Sequence, residues 1–190
     1  MRTGAQWIEL PAHYGAHKSV HKRFMYWVKK DLWNDVLAYV SKDFDGESFM
    51  IDGSVIRAHA CASGYQKGSQ KQQALGRSKG GFTTKIHAVV YGLGLPIRFI
   101  LIPGQSSEIK QAPALIEGIT NANILGDKAF DCDAFIEQIA SQNCTPVISP
   151  RANRILKREV DYTLYKERHL IECFFSKISI SDVFFLGLIN

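Results

Sequence analysis

This sequence predicts an α/β protein: a mixed sheet with covering helices, preceded by a small helical region. Three observations predict it. Apolar residues recur at helical spacing between residues 18 and 41. Three successive runs rich in β-branched and aromatic residues follow from residue 48, and from residue 106 to 178 helical and strand-like patterns alternate. The resulting order, β-β-β-α-β-α-β-α, is that of a layered sheet covered by helices.

Each element has its own signal. Residues 18–41, KSVHKRFMYWVKKDLWNDVLAYVS, place Val20, Phe24, Val28, Leu32, Val36 and Val40 four apart, with Trp27 and Leu37 beside the stripe. That spacing gives one apolar helix face. Asp31 can cap a second helix, so one bent helix and two short ones both fit. Residues 1–44 are read as the helical region, and SKDFDGES (41–48) as the link out of it. FMIDGSVIRAH, FTTKIHAVV (82–90) and PIRFILIPG (96–104) then read as three antiparallel strands, the last two joined by the turn-like YGLGL. SSEIKQAPALIEGIT (106–120) reads as a helix with Ser106 or Ser107 as its cap. ANILGD (122–127) is a short buried strand, CDAFIEQIASQ (132–142) a helix and TPVISP (145–150) another strand. DYTLYKERHLIECFFSKI (161–178) has Leu164, Leu170, Ile171, Phe174, Phe175 and Ile178 near helical spacing. No internal repeat is visible.

The chain has 190 residues, 46% of them hydrophobic and 22% charged, which suits one substantial domain with a small appendage. No apolar run approaches the roughly 20 residues of a membrane span. The start, MRTGAQWIEL, lacks a basic-then-apolar leader, so a cytoplasmic location is expected. Cys61, Cys132, Cys144 and Cys173 form no C-x-x-C pair and are read as reduced thiols, with no zinc site among them. The net charge is +5 and unevenly spread. GYQKGSQKQQALGRSK (64–79) carries Lys67, Lys71, Arg77 and Lys79 and no acid, and PRANRILKRE holds Arg151, Arg154, Lys157 and Arg158 against Glu159 alone. Such runs suit a phosphate-rich polymer or a solvated loop.

Three acids stand at the edges of apolar runs. Asp52 lies inside the first strand, where an ionised carboxylate is costly to bury. Asp-Gly between apolar runs is also a strong hairpin signal. Either Asp52–Gly53 is a tight turn, or the carboxylate is held there by something cationic. Asp127 closes the fourth strand, the end at which ligands bind in open α/β sheets. Glu172 interrupts HLIECFF on the last helix. Brought together, such acids need a cation between them, and a hard divalent ion takes oxygen ligands of this kind. The plain alternatives are a turn residue, a helix cap and a surface glutamate.

The runs RTGAQWIELPAHYG, IDGSVIRAH, GRSKGGFTTKIHAVV, GLPIRFILIPGQSSEIKQAPALIEG, LGDKAFDCD and LYKERHLIECFF, in that order and spacing, resemble bacterial insertion-sequence transposases of the DDE type, specifically the family numbered five. The resemblance runs from residue 2 to about 178. It implies a ribonuclease H-like fold over residues 48–178 and a metal-binding triad of Asp52, Asp127 and Glu172, with Mg²⁺ or Mn²⁺ as the ion. It implies that the strand runs straight through Asp52. It also implies a tyrosine-arginine-glutamate-lysine signature. Tyr165, Arg168 and Glu172 match its spacing, but Ser179 stands where the lysine belongs.

Further expectations rest on that resemblance. Lys67, Lys71, Arg77, Lys79, Lys85, Tyr165 and Arg168 are expected to contact DNA, both transposon ends and target. The helical region 1–44 is expected to bind DNA too, and the active form to be a homodimer with no membrane association. Arg168, one helical turn before Glu172, can hold a phosphate or pair with Glu167 or Glu172. His87 is read as a DNA or site contact or as a satisfied sheet histidine, and Phe130 as a base-stacking or a core residue. The expected function is metal-dependent DNA strand cleavage and transfer at insertion-sequence ends. The alternatives are a non-catalytic DNA-binding remnant that interferes with full-length transposase, and a metal nuclease without strand joining. Residues 179–190 depart from the resemblance as an apolar tail. The chain is therefore expected to be truncated at both ends and weakly active alone.

Overall fold

The computed structural model describes residues 7–41, 46–57, 74, 76–78, 81–155 and 158–180. The chain divides into two compact units, residues 1–44 with 176 onward, and residues 45–175.

In the first unit the helical pattern of residues 18–41 resolves into two helices, α1 (His17–Lys29) and α2 (Leu32–Val40). The break is at Asp31, whose φ of +57° is left-handed. Aspartate visits that region more readily than most residues, because its short polar side chain can bond locally. Here Asp31 Oδ1 accepts from Asn34 Nδ2 at 2.7 Å and makes no side-chain bond to the backbone of α2. Aromatic rings join the pair: Trp33 of α2 lies 5.9 Å from Phe24 of α1, tilted, and 5.7 Å from Trp27, edge-on. No residue of either helix is buried.

The second unit is built on one sheet. Strands β1 (Ser48–Arg57), β3 (Gly81–Tyr91) and β4 (Pro96–Pro103) pair antiparallel, as expected from three successive strand-like runs with a turn-like spacer between the last two. Gly94, at φ +72°, supplies the left-handed step of the β3–β4 turn. A three-residue strand β2 (Gly76–Ser78) pairs with the first residues of β3, continuing the edge that β4 occupies. On the other side of β1 come β5 (Asn123–Gly126), parallel to it, and β6 (Thr145–Ile148), parallel to β5. Leaving β2 aside, the spatial order is β4-β3-β1-β5-β6. This is the ribonuclease H-like arrangement: an antiparallel ribbon whose first strand continues into a parallel half.

The central strands are apolar on both faces, as a covered sheet requires. Met50, Ile51, Ile86, Val89, Ile124 and Leu125 are wholly buried. Helix α4 (Asp133–Ser141) links β5 to β6 and buries Phe135 and Ile139.

Two expected helices are broken. Residues 106–120 form one tight 3₁₀ turn, Glu108–Lys110, and a four-residue helix α3 (Ala112–Leu115). Pro113 explains the break: it has no N–H to donate and is tolerated only in a first turn, so α3 has to start immediately before it. The helix expected over 161–178 is α5 (Tyr162–Tyr165), a 3₁₀ turn at Lys166–Arg168, and α6 (His169–Ile180). Asp161 caps its start, accepting from the N–H groups of Thr163 and Leu164 at 2.8 and 3.1 Å.

Candidate active site

Asp52 sits in the middle of β1, opposite Ala88, with Gly53 opposite His87. The strand therefore passes straight through Asp52–Gly53, and the hairpin reading is set aside. Asp52 Oδ1 accepts from the Gly53 N–H at 2.7 Å. The β1–β5 ladder ends with Ile51 opposite Gly126, so Asp52 and Asp127 are the next residues on two neighbouring strands. Asp127 turns the chain as well: its Oδ1 accepts from the Ala129 N–H at 2.8 Å, capping the turn Lys128–Phe130. Its cap role and its position beside Asp52 are compatible.

Glu172 arrives from the first turn of α6. That helix is seated by Ile171 and Phe175, both buried, and by Phe174, whose ring stacks on Phe99 at 5.8 Å. Arg168 joins the parts. Its Nη1 donates to Asp52 Oδ2 at 3.1 Å, and its Nη2 donates to Glu172 Oε1. Of the sequence readings for Arg168, the ion pair with Glu172 is present, and the second bond to Asp52 was not foreseen. Tyr165 lies one turn earlier, half-buried, with its ring edge-on to Tyr162.

The electrostatics of Asp52 describe what the site lacks. Burial pushes its carboxyl above the ordinary aspartate value, and the negative charges of Asp127 and Glu108 push the same way. The Gly53 N–H and the Arg168 guanidinium oppose this without cancelling it. A further positive charge there would favour the ionised form. Carboxylate oxygens from Asp52, Asp127 and Glu172 are the donor set a hard divalent cation takes. Among the described residues, however, no group of three His, Cys, Asp or Glu is gathered closely enough to hold a metal ion. Arg168 spans Asp52 and Glu172, so closing the triad on an ion requires that guanidinium to move.

Other predicted residues fall elsewhere. Lys85 Nζ pairs with Glu108 at 3.1 Å and donates to the Ser106 carbonyl at 3.2 Å. Lys67, Lys71 and Lys79 lie outside the described residues, while Arg77 contributes its backbone to β2. Phe130 is wholly buried beside Phe135, so it is a core residue and is not available to stack on a base. His87 is also wholly buried, but it is not satisfied: neither ring nitrogen has a hydrogen-bond partner among the described residues.

In the second basic run Lys157 lies outside the described residues, and the arginines are engaged within the chain. Arg154 and Arg158 both pair with Asp131, whose side chain is fully buried, and with Asp133. Sequence reasoning passed over Asp131 and Asp133. Two acids in DCD following LGDKAF, with a basic run further on, were the available signal; which charges meet is decided only by the fold.

A family model for the transposase DDE domain matches residues 43–179, a span that includes all three acids. The chain belongs to that family. Members of the DDE transposase family are enzymes that cleave and transfer DNA strands, and their chemistry uses divalent metal ions. This DDE domain is 41% identical, over 98 residues, to a candidate transposase for insertion sequence element IS6501 from Brucella ovis (strain ATCC 25840 / 63/290 / NCTC 10512). That match spans 50% of this chain and 75% of the relative. It is 32% identical over 66 residues to an uncharacterised protein, y4sN, of Sinorhizobium fredii (strain NBRC 101917 / NGR234), covering 35% of this chain and 53% of that one. Among solved structures, the catalytic domain of Mos1 mariner transposase is 14% identical, covers 82% of each chain and gives a TM-score of 0.37. The piggyBac transposase synaptic complex with hairpin DNA is 16% identical, covers 62% of this chain and 25% of that one, and gives 0.41. The family membership rests on the sequence match. Among the described residues no helix is long and apolar enough to cross a membrane.

Proposed function

We propose that this DDE domain acts on insertion-sequence ends, with Asp52, Asp127 and Glu172 as its metal-binding triad and Mg²⁺ or Mn²⁺ as the ion. The observation that supports this most is that Asp52 and Asp127 follow the last pair of the β1–β5 ladder while Arg168 ties Glu172 to Asp52. Bound divalent ions would supply activation of an attacking oxygen and stabilisation of a leaving one. The chain's own residues supply the rest. The Gly53 N–H fixes one oxygen of Asp52, and the Ala129 N–H fixes one oxygen of Asp127, so each carboxylate offers its other oxygen in a set direction. Arg168, once released from the carboxylates, is placed to donate to a backbone phosphate of the scissile strand.

Lys67, Lys71, Arg77 and Lys79, with Tyr165, are proposed to follow the DNA backbone. Lys85 contributes only if its pair with Glu108 opens. The helical region 1–44 is proposed as a further DNA-binding part, and the working assembly as a cytoplasmic homodimer. A non-catalytic remnant is not favoured, because the family match includes every acid of the triad.

Metal binding tests the reading directly. An ion that binds only the folded state at a hundred times its dissociation constant adds about 2.7 kcal/mol. For a chain of this size that is a rise of roughly 5–10 °C in the thermal midpoint. Mn²⁺ should produce such a rise in the parent and little in Asp127→Asn. An equal response in both would refute the triad. Joining of a pre-cleaved transposon end to a second duplex separates a transposase from a simple metal nuclease, which would cleave without joining.

A further inference from the structure

The turn that carries Asp127 is gripped from outside the triad. Arg151 Nε donates to the Lys128 carbonyl at 3.1 Å and its Nη2 to the Ala129 carbonyl at 3.0 Å. The Lys128 carbonyl shares its peptide group with the Ala129 N–H, which donates to Asp127 Oδ1 at 2.8 Å. The Lys128–Ala129 peptide thus takes the Arg151 guanidinium on its oxygen and the candidate metal ligand on its nitrogen. Arg151 is itself anchored, for its backbone N–H donates to Asp131 Oδ2 at 2.7 Å. Asp131 is fully buried, held from its other sides by Arg154 Nε at 2.8 and 2.9 Å and by Arg158 Nη2. Arg154 Nη2 reaches on to Asp133 Oδ1 at 2.6 Å, and Arg158 Nη1 to the same oxygen at 3.3 Å.

This is more than a surface ion pair. A buried carboxylate with charge-assisted donors on both oxygens fixes the segment from residue 151, and that segment's first side chain fixes the Lys128–Phe130 turn. Polarising the Lys128 carbonyl also strengthens the Ala129 N–H as a donor, because the two ends of a peptide polarise each other. Metal ligands depend on such outer partners for their orientation.

We infer that Arg151, anchored through Asp131, is a positioning residue that sets the Asp127 carboxylate through the Lys128–Ala129 peptide. The inference rests on the proposed metal-binding role of Asp127. It assigns Arg151, Arg154 and Arg158 to building the site.

The test compares the full chain with Arg151→Gln and Arg151→Lys. Arg151 is exposed, so neither change should disturb folding. Amide-proton exchange followed by NMR reads the turn without any metal. In Arg151→Gln the Ala129 amide should exchange about tenfold faster, while the Leu125 amide inside β5 keeps its rate. Mn²⁺ affinity should fall about tenfold, the lower end of what losing an outer partner costs a metal site. Binding to a DNA duplex without metal should not change. Arg151→Lys, which can reach one carbonyl, should lie between parent and Arg151→Gln in both readouts. Parent-like exchange at Ala129 in Arg151→Gln would overturn the inference, as would equal acceleration at Leu125, which would mean general loosening. Mn²⁺ binding parent and Asp127→Asn alike would refute the metal reading instead, and the Ala129 exchange rate would still decide the clamp.

Discussion

Replacing Gly53 by alanine probes why glycine follows the first acid. A Cβ at position 53 would lie 2.8 Å from His87 Cε1 and 2.9 Å from His87 Nδ1, closer than unbonded carbon and ring atoms can stand. The ring is wholly buried and cannot swing into solvent. The collision must be absorbed by the sheet, and overpacking of a filled core costs about 1–3 kcal/mol. Taking about 2 kcal/mol, the thermal midpoint should drop by roughly 4–8 °C for a chain of this length. The informative assay is urea unfolding of four proteins: parent, Gly53→Ala, His87→Ala and the double variant. His87→Ala opens the space the new methyl needs, so the cost of Gly53→Ala should nearly vanish in that background. The pair should then show a coupling of about 1–3 kcal/mol. If Gly53→Ala costs the same with and without the imidazole, the packing argument is wrong and glycine is there for the backbone alone.

Two more outcomes follow from buried charge. Burial holds the His87 imidazole below its ordinary value of 6.5; the neighbouring Lys85 acts in the same direction, and Glu108 opposes it. The unfolded chain therefore takes up a proton that the folded one resists, so stability present above pH 6.5 should be lost as pH falls from there through the lowered folded value. His87→Gln should flatten that part of the stability–pH curve, and an unchanged slope would count against it. Asp131→Asn leaves Arg154 and Arg158 without their buried partner, a change that costs about 3 kcal/mol, the low end for breaking a buried pair. The low end applies because those side chains keep 21% and 27% of their exposure. Calorimetry should find the midpoint lowered by roughly 6–12 °C.

Strands were the most legible part of the sequence. FTTKIHAVV and PIRFILIPG are dense in β-branched and aromatic residues, and β3 and β4 fall within a residue of the expected limits. The acids were legible because a carboxylate inside FMIDG or after ANILG is costly without a reason. What misled was local. Asp-Gly favours a turn in isolation, yet β1 runs through it because the long pairing with β3, continuous across both residues, outweighs a two-residue preference. The apolar pattern of 106–120 concealed the effect of Pro113. A strand as short as β2 has no periodicity to detect. The partners of Asp131 lie twenty and more residues away and meet only in the folded chain. Isolated in sequence, the basic run 151–158 looked like a nucleic-acid patch.

The position of β1 between the two halves of the sheet has a consequence for the chain as it is made. Residues 48–57 find their antiparallel partner in 83–91, but the opposite edge of residues 48–51 waits for residues 123–126. On the ribosome, an emerging polypeptide that has not reached residue 123 presents Phe49, Met50 and Ile51 along an open strand edge. Such an edge is a template for pairing with any extended chain nearby. The segment that carries the first acid is thus open to misassociation during synthesis until arrival of the short NILG strand closes it.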